Sequence, residues 1–211
     1  MPARLHPTAL VEDGAVIGDG TAVWDNAHIR APSRIGADCI VGGKSYIAYG
    51  VDIADRVKIN AFVYVCYGVS IETGVFVGAG TTFSNEAFPR ACTPDLSALQ
   101  TSDPTEATRT TRVREGASIG ARAMIGSDLE IGRFAMVGMG ALVTKSVPDF
   151  HLVIGQPARS IGYVCRCGQP VLRFSGPPPS MADTACGACG RVYRADGGRV
   201  IEIGQAKRSV A

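Results

Sequence analysis

Aliphatic residues recur at every sixth position from Val11 onward: Val11, Ile17, Val23, Ile29, Ile35, Val41, Ile47, Ile53, Ile59, Val65, Ile71 and Val77, with Phe83 next in the series. The residue two places before each, from Ala15, is small or β-branched: Ala15, Thr21, Ala27, Ser33, Cys39, Ser45, then Val51, Val57, Val63, Val69, Val75 and Thr81. Gly18, Gly36, Gly42 and Gly78 directly follow the aliphatic residue. This period fits neither a helix nor a hairpin meander. It predicts an all-β chain, a parallel β-helix in which each hexad makes one short strand and one turn. The β-branched side chains point into a narrow prism, and Gly or a polar residue takes the turn.

The pattern stops after Phe83 and resumes as Val113, Ile119, Ile125, Ile131, Val137 and Val143. Three hexads close one triangular coil, so residues eighteen apart lie in one column, about 4.8 Å from each other. Twelve hexads before the break and six after it predict about six coils. Residues 1–10 are expected to cap the open end, as short solenoids require. Residues 84–112, rich in Thr, Ser, Asp and Pro, form a protruding loop. A loop of that length inside a compact repeat is functional or disordered. Its expected task is to reach over a neighbouring subunit and cover a site. The β-helix is expected to occupy residues 1–162 and a small extension residues 163–211, with Lys207 to Ala211 frayed.

The column rule gathers four of the six tyrosines at one corner of the prism. His28, Tyr46, Tyr64 and Thr82 stack in one column; Ala31, Tyr49, Tyr67 and Asn85 stack in the column three residues on. Such an aromatic, hydroxyl-rich wall can stack and hydrogen-bond a base or sugar, or pack against a neighbouring subunit. The opening coils also carry Trp24, Asn26, His28 and Arg30 at outward or corner positions, either a contact surface or a solvated one. Near the other end, Gly120, Gly126, Gly132, Gly138 and Gly140 let a ligand lie close to the backbone. Lys145 and Arg159 would suit a phosphate at the end of such a groove. A turn glycine or a surface cation is the equal alternative for any one of them.

Composition narrows the setting. Charged residues make up only 19% and glycines number 26, as a thin-cored solenoid requires. A formal charge of +2 gives no argument for nucleic acid or a membrane surface. There is no long apolar run and no signal-like start, so a cytoplasmic location is the default expectation. Seven cysteines, an odd number, argue against a disulfide framework. Cys39 and Cys66 fall on the repeat and read as packing residues, and Cys92 lies in the loop. After Ile161 the period is lost, and Cys165-Arg166-Cys167-Gly168 is followed by Cys186-Gly187-Ala188-Cys189-Gly190. Two close Cys pairs, each followed by Gly, read as a tetrahedral thiolate site in a zinc ribbon, with a disulfide pair as the alternative. Four Cys ligands make a closed, structural zinc site with no room for a catalytic water. Short strands are expected at Val192–Arg194 and Arg199–Ile203 around Gly197-Gly198.

An ordered set of motifs goes beyond the repeat: Trp24-Asp25-Asn26-Ala27-His28-Ile29, Val57-Lys58-Ile59-Asn60, Val75-Phe76-Val77-Gly78, Phe83-Ser84-Asn85 with Pro89-Arg90, Gly116-Ala117-Ser118-Ile119-Gly120-Ala121, and Val153-Ile154-Gly155-Gln156-Pro157-Ala158-Arg159. Together they resemble bacterial nucleotide-sugar N-acetyltransferases over roughly residues 11–163. The resemblance implies a left-handed β-helix that acetylates the 3-amino group of a UDP- or dTDP-linked amino sugar from acetyl-CoA. It implies a homotrimer with sites between subunits, the nucleotide-sugar toward the lower coils and acetyl-CoA along the upper ones. Asn85 then matches the family's active-site Asn and His28 a His of its Trp-containing motif. Both are carried as catalytic candidates. Trp24, Asn26, Arg30, Lys44, Tyr46, Tyr49, Tyr64, Tyr67 and Arg90 are carried as nucleotide-sugar contacts. Phe88 departs from the family pattern, where Asn often precedes Pro-Arg, and Lys44 stands where an amide is frequent. The Cys-rich tail resembles an extension found in only some relatives.

The chemistry can be argued separately. An amine attacking a thioester must be oriented, its oxyanion stabilised and its proton accepted. His28 lies about three coils below Asn85, roughly 14 Å by strand spacing. This places Asn85 at the amine or thioester and His28 at the nucleotide or across the interface, with the departing CoA thiolate able to take the proton. An O-acetyltransferase and a non-catalytic scaffold are the competing readings. O-acetyltransferases of this fold usually carry a His in the protruding loop, and residues 84–112 contain none. A metalloenzyme with three His ligands on adjacent coils is excluded by the spacing of His6, His28 and His151.

Overall fold

In the computed structural model, described over residues 1–101, 103–105 and 108–205, the chain winds into stacked parallel sheets without a helix. Lys207 to Ala211, expected to fray, lie outside the described residues. Among those described, no helix is long and apolar enough to cross a membrane.

Each hexad folds as expected. Most strands are two residues long, and the second residue of each points inward. Ala27 and Ile29 are both fully buried and illustrate the rule: the small residue clears the corner and the aliphatic one fills the prism. The core is a continuous stack of such pairs from Val23 to Val153. Consecutive strands pass to three faces in turn. The first face begins at Arg4–Leu5, the second at Leu10–Val11 and the third at Val16–Ile17. Strands eighteen residues apart pair in parallel, for example Ala22 with Ile40, His28 with Tyr46 and Arg34 with Asp52. The stack has about eight turns and fits a left-handed β-helix.

Two additional turns come from the ends. Arg4–Leu5 pairs with Ala22–Val23, so the expected cap is the first strand of the first coil. At the other end Val147 bridges Ile131 only four residues after Val143, and His151–Gly155 then pairs with Met136–Val137. One shortened side hides this last turn from a strict six-residue count.

The corners also have a rule. Asn26, Lys44, Phe62 and Arg122 occupy the corner between the first and second faces with φ of 52°, 59°, 61° and 57°. From Asn26 on this corner takes a left-handed residue, a conformation Gly140 adopts without strain at φ 67°.

The insertion leaves the stack after Thr82–Phe83 and returns at Thr111–Val113. Its centre is a small turn in which Cys92 bridges Leu99 and Asp95 accepts from Thr93 and Ser97. Those hydrogen bonds bring the Asp95 carboxyl down to about 2. Phe88, Leu96 and Leu99 are among the most exposed apolar side chains.

The tail begins inside the first face. His151–Gly155 joins that face in parallel, and Ala158–Val164 and Pro170–Arg173 extend it antiparallel, so the expected junction at 162/163 falls within a strand. Met181–Ala185, Arg191–Asp196 and Arg199–Gln205 form a separate three-stranded sheet, the last two joined by Gly197-Gly198 as expected.

Candidate functional site

The tyrosine corner forms as the column rule predicts. His28, Tyr46, Tyr64 and Thr82 stand in register on the second face. The Tyr46 and Tyr64 rings stack at 5.4 Å and 11°, and His28 meets Tyr46 edge-on at 5.3 Å. On the adjoining corner the Tyr49 and Tyr67 rings lie 5.3 Å apart. Arg30 ties the two columns together: its guanidinium donates to the Tyr46 hydroxyl at 3.0 Å and sits 5.6 Å from the Tyr49 ring. Burial holds the Tyr64 phenol above its ordinary value.

Asn85 stands at the top of this wall, where the loop departs. Its Nδ2 donates to the Tyr67 carbonyl at 3.2 Å. A carbonyl only accepts, so the amide orientation is fixed and Oδ1 is the atom left to meet a ligand. Asn85 therefore offers an acceptor, suited to an amine N–H, rather than a donor for an oxyanion.

At the foot of the wall the structure adds a residue that the sequence reading lacks. Glu12 Oε1 meets His28 Nε2 at 2.9 Å and Arg30 Nε at 2.5 Å, and Oε2 accepts from the Ala31 N–H at 2.9 Å. The Ala31 bond and then the His28 bond hold the Glu12 carboxyl below its ordinary value. The column rule contained the signal: Glu12 and Arg30 are eighteen residues apart.

The remaining candidates divide. Asn26 and Lys44 lie at the corner where the first face turns into the second, and Trp24 directly follows the first-face strand Ala22–Val23. There Lys44 pairs with Asp25 at 2.9 Å and lies 5.6 Å from the Phe62 ring, while Arg4 covers Trp24 at 5.2 Å. Arg90 donates to the neighbouring Pro89 carbonyl. Among the upper glycines, a Cβ at Gly120 would meet Met139 N at 2.5 Å and one at Gly138 would meet Ile154 Cγ2 at 2.7 Å. Close stacking of the coils therefore accounts for both. Gly140 has open space around its Cα, and its carbonyl accepts from Gln156 Nε2 at 2.7 Å. Lys145 and Arg159 come together on the rim of a pocket of about 200 Å³ that also involves Ser146 and Ser160.

The four tail thiols converge. Cys165 Sγ lies 3.4 Å from Cys189 Sγ and Cys167 Sγ 3.6 Å from Cys186 Sγ, and all four sulfurs fall within 4.8 Å of one another. A tetrahedron with metal–sulfur bonds of about 2.3 Å has edges of about 3.8 Å, so the cluster fits one ion. Sulfur-directed donors are also present: Cys167 N–H at 3.4 Å and the Tyr193 hydroxyl at 3.2 Å, both to Cys165. Burial pushes the Cys165 thiol up to about 12. Burial also opposes ionisation of Cys186, but N–H groups of Cys189 and Ala188 and the neighbouring thiols bring it down to about 7.

Comparison with known proteins agrees with the geometry. Residues 14–49 match the family "bacterial transferase hexapeptide (six repeats)", and residues 32–67 match "hexapeptide repeat of succinyl-transferase". The two matches place a hexapeptide repeat over residues 14–67. The chain is 44% identical over 88 residues to dTDP-3-amino-3,6-dideoxy-alpha-D-galactopyranose 3-N-acetyltransferase of Aneurinibacillus thermoaerophilus, covering 41% of the chain and 42% of the relative. It is 31% identical over 121 residues to serine acetyltransferase of Salmonella typhimurium, covering 55% and 40%. The matches thus span less than half the length of these curated relatives. Its fold matches an N-acyltransferase from Bacillus cereus solved with dTDP-4-amino-4,6-dideoxyglucose and coenzyme A, at 20% identity and a TM-score of 0.59 over 70% of the chain and 82% of that protein.

Proposed function

We propose that this protein is an acetyl-CoA-dependent N-acetyltransferase acting on the 3-amino group of a UDP- or dTDP-linked amino sugar. The observation that carries the reading is Asn85 at the top of a tyrosine wall, its Oδ1 without a hydrogen-bond partner among the described residues. The 44% identity to a dTDP-amino-sugar 3-N-acetyltransferase supports the substrate class. In this reading the sugar's amine donates an N–H to Asn85 and attacks the acetyl carbonyl carbon. The C–S bond breaks as the tetrahedral oxyanion collapses, and the departing thiolate takes the ammonium proton, leaving an amide and free CoA. Asn85 supplies orientation, the term that makes a bimolecular step effectively unimolecular. Lys145 and Arg159 offer paired cations to the phosphates of the acyl donor.

The proposal includes a homotrimer with sites between copies. Its support is the flat second face with its tyrosines, beside a loop whose Phe88, Leu96 and Leu99 are exposed. It also includes one structural zinc on Cys165, Cys167, Cys186 and Cys189, supported by the sulfur spacing. A cytoplasmic setting goes with both, since thiols persist in a reducing compartment.

The test is release of CoA thiol from acetyl-CoA across a panel of nucleotide-linked sugars carrying an amine or only a hydroxyl at C3. Turnover is expected for the amines, giving an amide product. Turnover of the hydroxyl compounds alone would make this an O-acetyltransferase, and none with any would favour a scaffold. Metal analysis of protein purified under reducing conditions should find one zinc per chain.

A further inference from the structure

We propose that Glu12 is the positioning residue of the lower site: its carboxylate fixes His28 in the tautomer protonated at Nε2, so that Nδ1 is offered as an acceptor to a donor group of the bound nucleotide-sugar. The second half of this statement rests on the functional reading above; the first half does not.

Arg34 with Asp52 and Arg109 with Asp128 are simple exposed pairs. Glu72 gathers Arg112, Arg114 and the Glu115 N–H on one carboxylate at the end of the third face. Glu12 differs from it in holding an imidazole, at the foot of the tyrosine wall. It gathers an imidazole, a guanidinium and a backbone N–H on one carboxylate. Through Arg30 it also reaches the Tyr46 hydroxyl and the Tyr49 ring.

An ionised carboxylate can only accept, so the 2.9 Å contact requires the hydrogen on Nε2. A neutral ring protonated there carries its lone pair on Nδ1. Among the described residues nothing bonds to Nδ1, and the His28 side chain keeps 31% of its surface exposed, so a ligand can reach it. Height in the stack assigns the role. His28 pairs with Tyr46, Tyr46 with Tyr64 and Tyr64 with Thr82, three strand spacings, or about 14 Å. Copies related by an axis parallel to the stack keep their heights, so a neighbouring Asn85 comes no closer in level. His28 therefore meets a part of the substrate remote from the amine. The donors available there are a sugar hydroxyl or the imide N–H of a uracil or thymine base.

The tautomer can be read directly by nitrogen NMR of the imidazoles at alkaline pH. Only three histidines are present, and His28 is assigned by the signal lost in His28→Gln. Hydrogen on Nε2 is expected in the wild type. In Glu12→Gln, whose amide can donate as well as accept, a shift toward hydrogen on Nδ1 is expected. The same variant should raise KM for the nucleotide-sugar about tenfold, the worth of one hydrogen bond. Its kcat and its KM for acetyl-CoA should be unchanged. Wild-type His28 protonated at Nδ1 overturns the proposal, as does a tautomer indifferent to Glu12→Gln or an equal loss confined to kcat. If no nucleotide-sugar is turned over, the functional reading falls while the NMR result still decides what Glu12 does to His28.

Discussion

The β-helix and the tail solve the same problem, enclosing apolar surface, by opposite means. In the β-helix one rule repeats. An aliphatic column and a small-residue column stack coil on coil, and the core polar side chains are Thr21, Ser33, Ser45, Thr81 and Thr111 at the corners. Thr21 and Ser45 close backbone gaps between coils, donating to Gly36 and Asn60 carbonyls. The tail has no repeat. Its core is a handful of large or sulfur-bearing side chains, Phe150, Tyr163, Cys165, Met181, Cys186, Tyr193, Ala195 and Val200. Phe134 of the β-helix stacks on Phe150 at 5.6 Å, and buried His151 joins the two parts by donating from Nε2 to the Gly198 carbonyl at 2.6 Å. Repetition lets stability come from many equal contacts. Without it, a small unit depends on a few strong ones, and here these are the thiol cluster and one histidine.

Metal removal should separate the two regions most sharply. A chelator, or Cys186→Ser, is expected to abolish hydrogen-exchange protection over Met181–Ala185, Arg191–Asp196 and Arg199–Gln205. The β-helix columns should stay protected, because the binding energy of the proposed zinc, on the order of 10 kcal/mol, would be folding energy only for the unit whose thiols hold it. Loss of protection in both regions together would show that they fold as one. The converse test is Ile125→Ala. Ile125 is fully buried, and its truncation should cost about 2–5 kcal/mol, seen as an earlier denaturant midpoint for the β-helix. A tail transition that moves by the same amount would again erase the distinction.

The smallest effect is expected from acid. Burial lowers the His151 pKa from its ordinary 6.5, against the smaller upward pull of the Gly198 bond. A depressed folded-state value means that the unfolded chain takes up the proton first. The contribution of His151 is therefore complete above 6.5 and is lost as pH falls through that value toward the lower folded one. Protection of the Gly197-Gly198 turn should weaken in that window, and His151→Gln should remove the pH dependence.

What the sequence disclosed follows the same division. Period six gave the faces, the register and the tyrosine wall, because coil stacking turns an eighteen-residue spacing into a contact. Leu5 and Val147 escaped because the first turn is open to solvent and the last has a shortened side. Glu12 escaped although it obeys the column rule, since a charged residue beside the first aliphatic position carries no hydrophobic signal. In the tail the Cys spacing revealed the cluster. Nothing in the pattern revealed Phe134, Phe150, Tyr163 and Tyr193 as a shared aromatic core, because those contacts have no period. Trp24, Asn26 and Lys44 were near His28 in sequence, and the structure sets Asn26 and Lys44 at the corner that leads into its face.

The central claim is that the chemistry occurs at the Asn85 end of the tyrosine wall and binding at the Glu12–His28 end. The kinetics of Asn85→Ala beside His28→Ala, with acetyl-CoA and an accepted nucleotide-linked amino sugar, test it most directly. Asn85→Ala removes the acceptor that orients the amine and should lower kcat on the order of 10²-fold, with little change in KM. His28→Ala should raise KM for the nucleotide-sugar and leave kcat nearly intact. Abolished turnover in His28→Ala with a mild effect in Asn85→Ala would contradict the account and make His28 the general base.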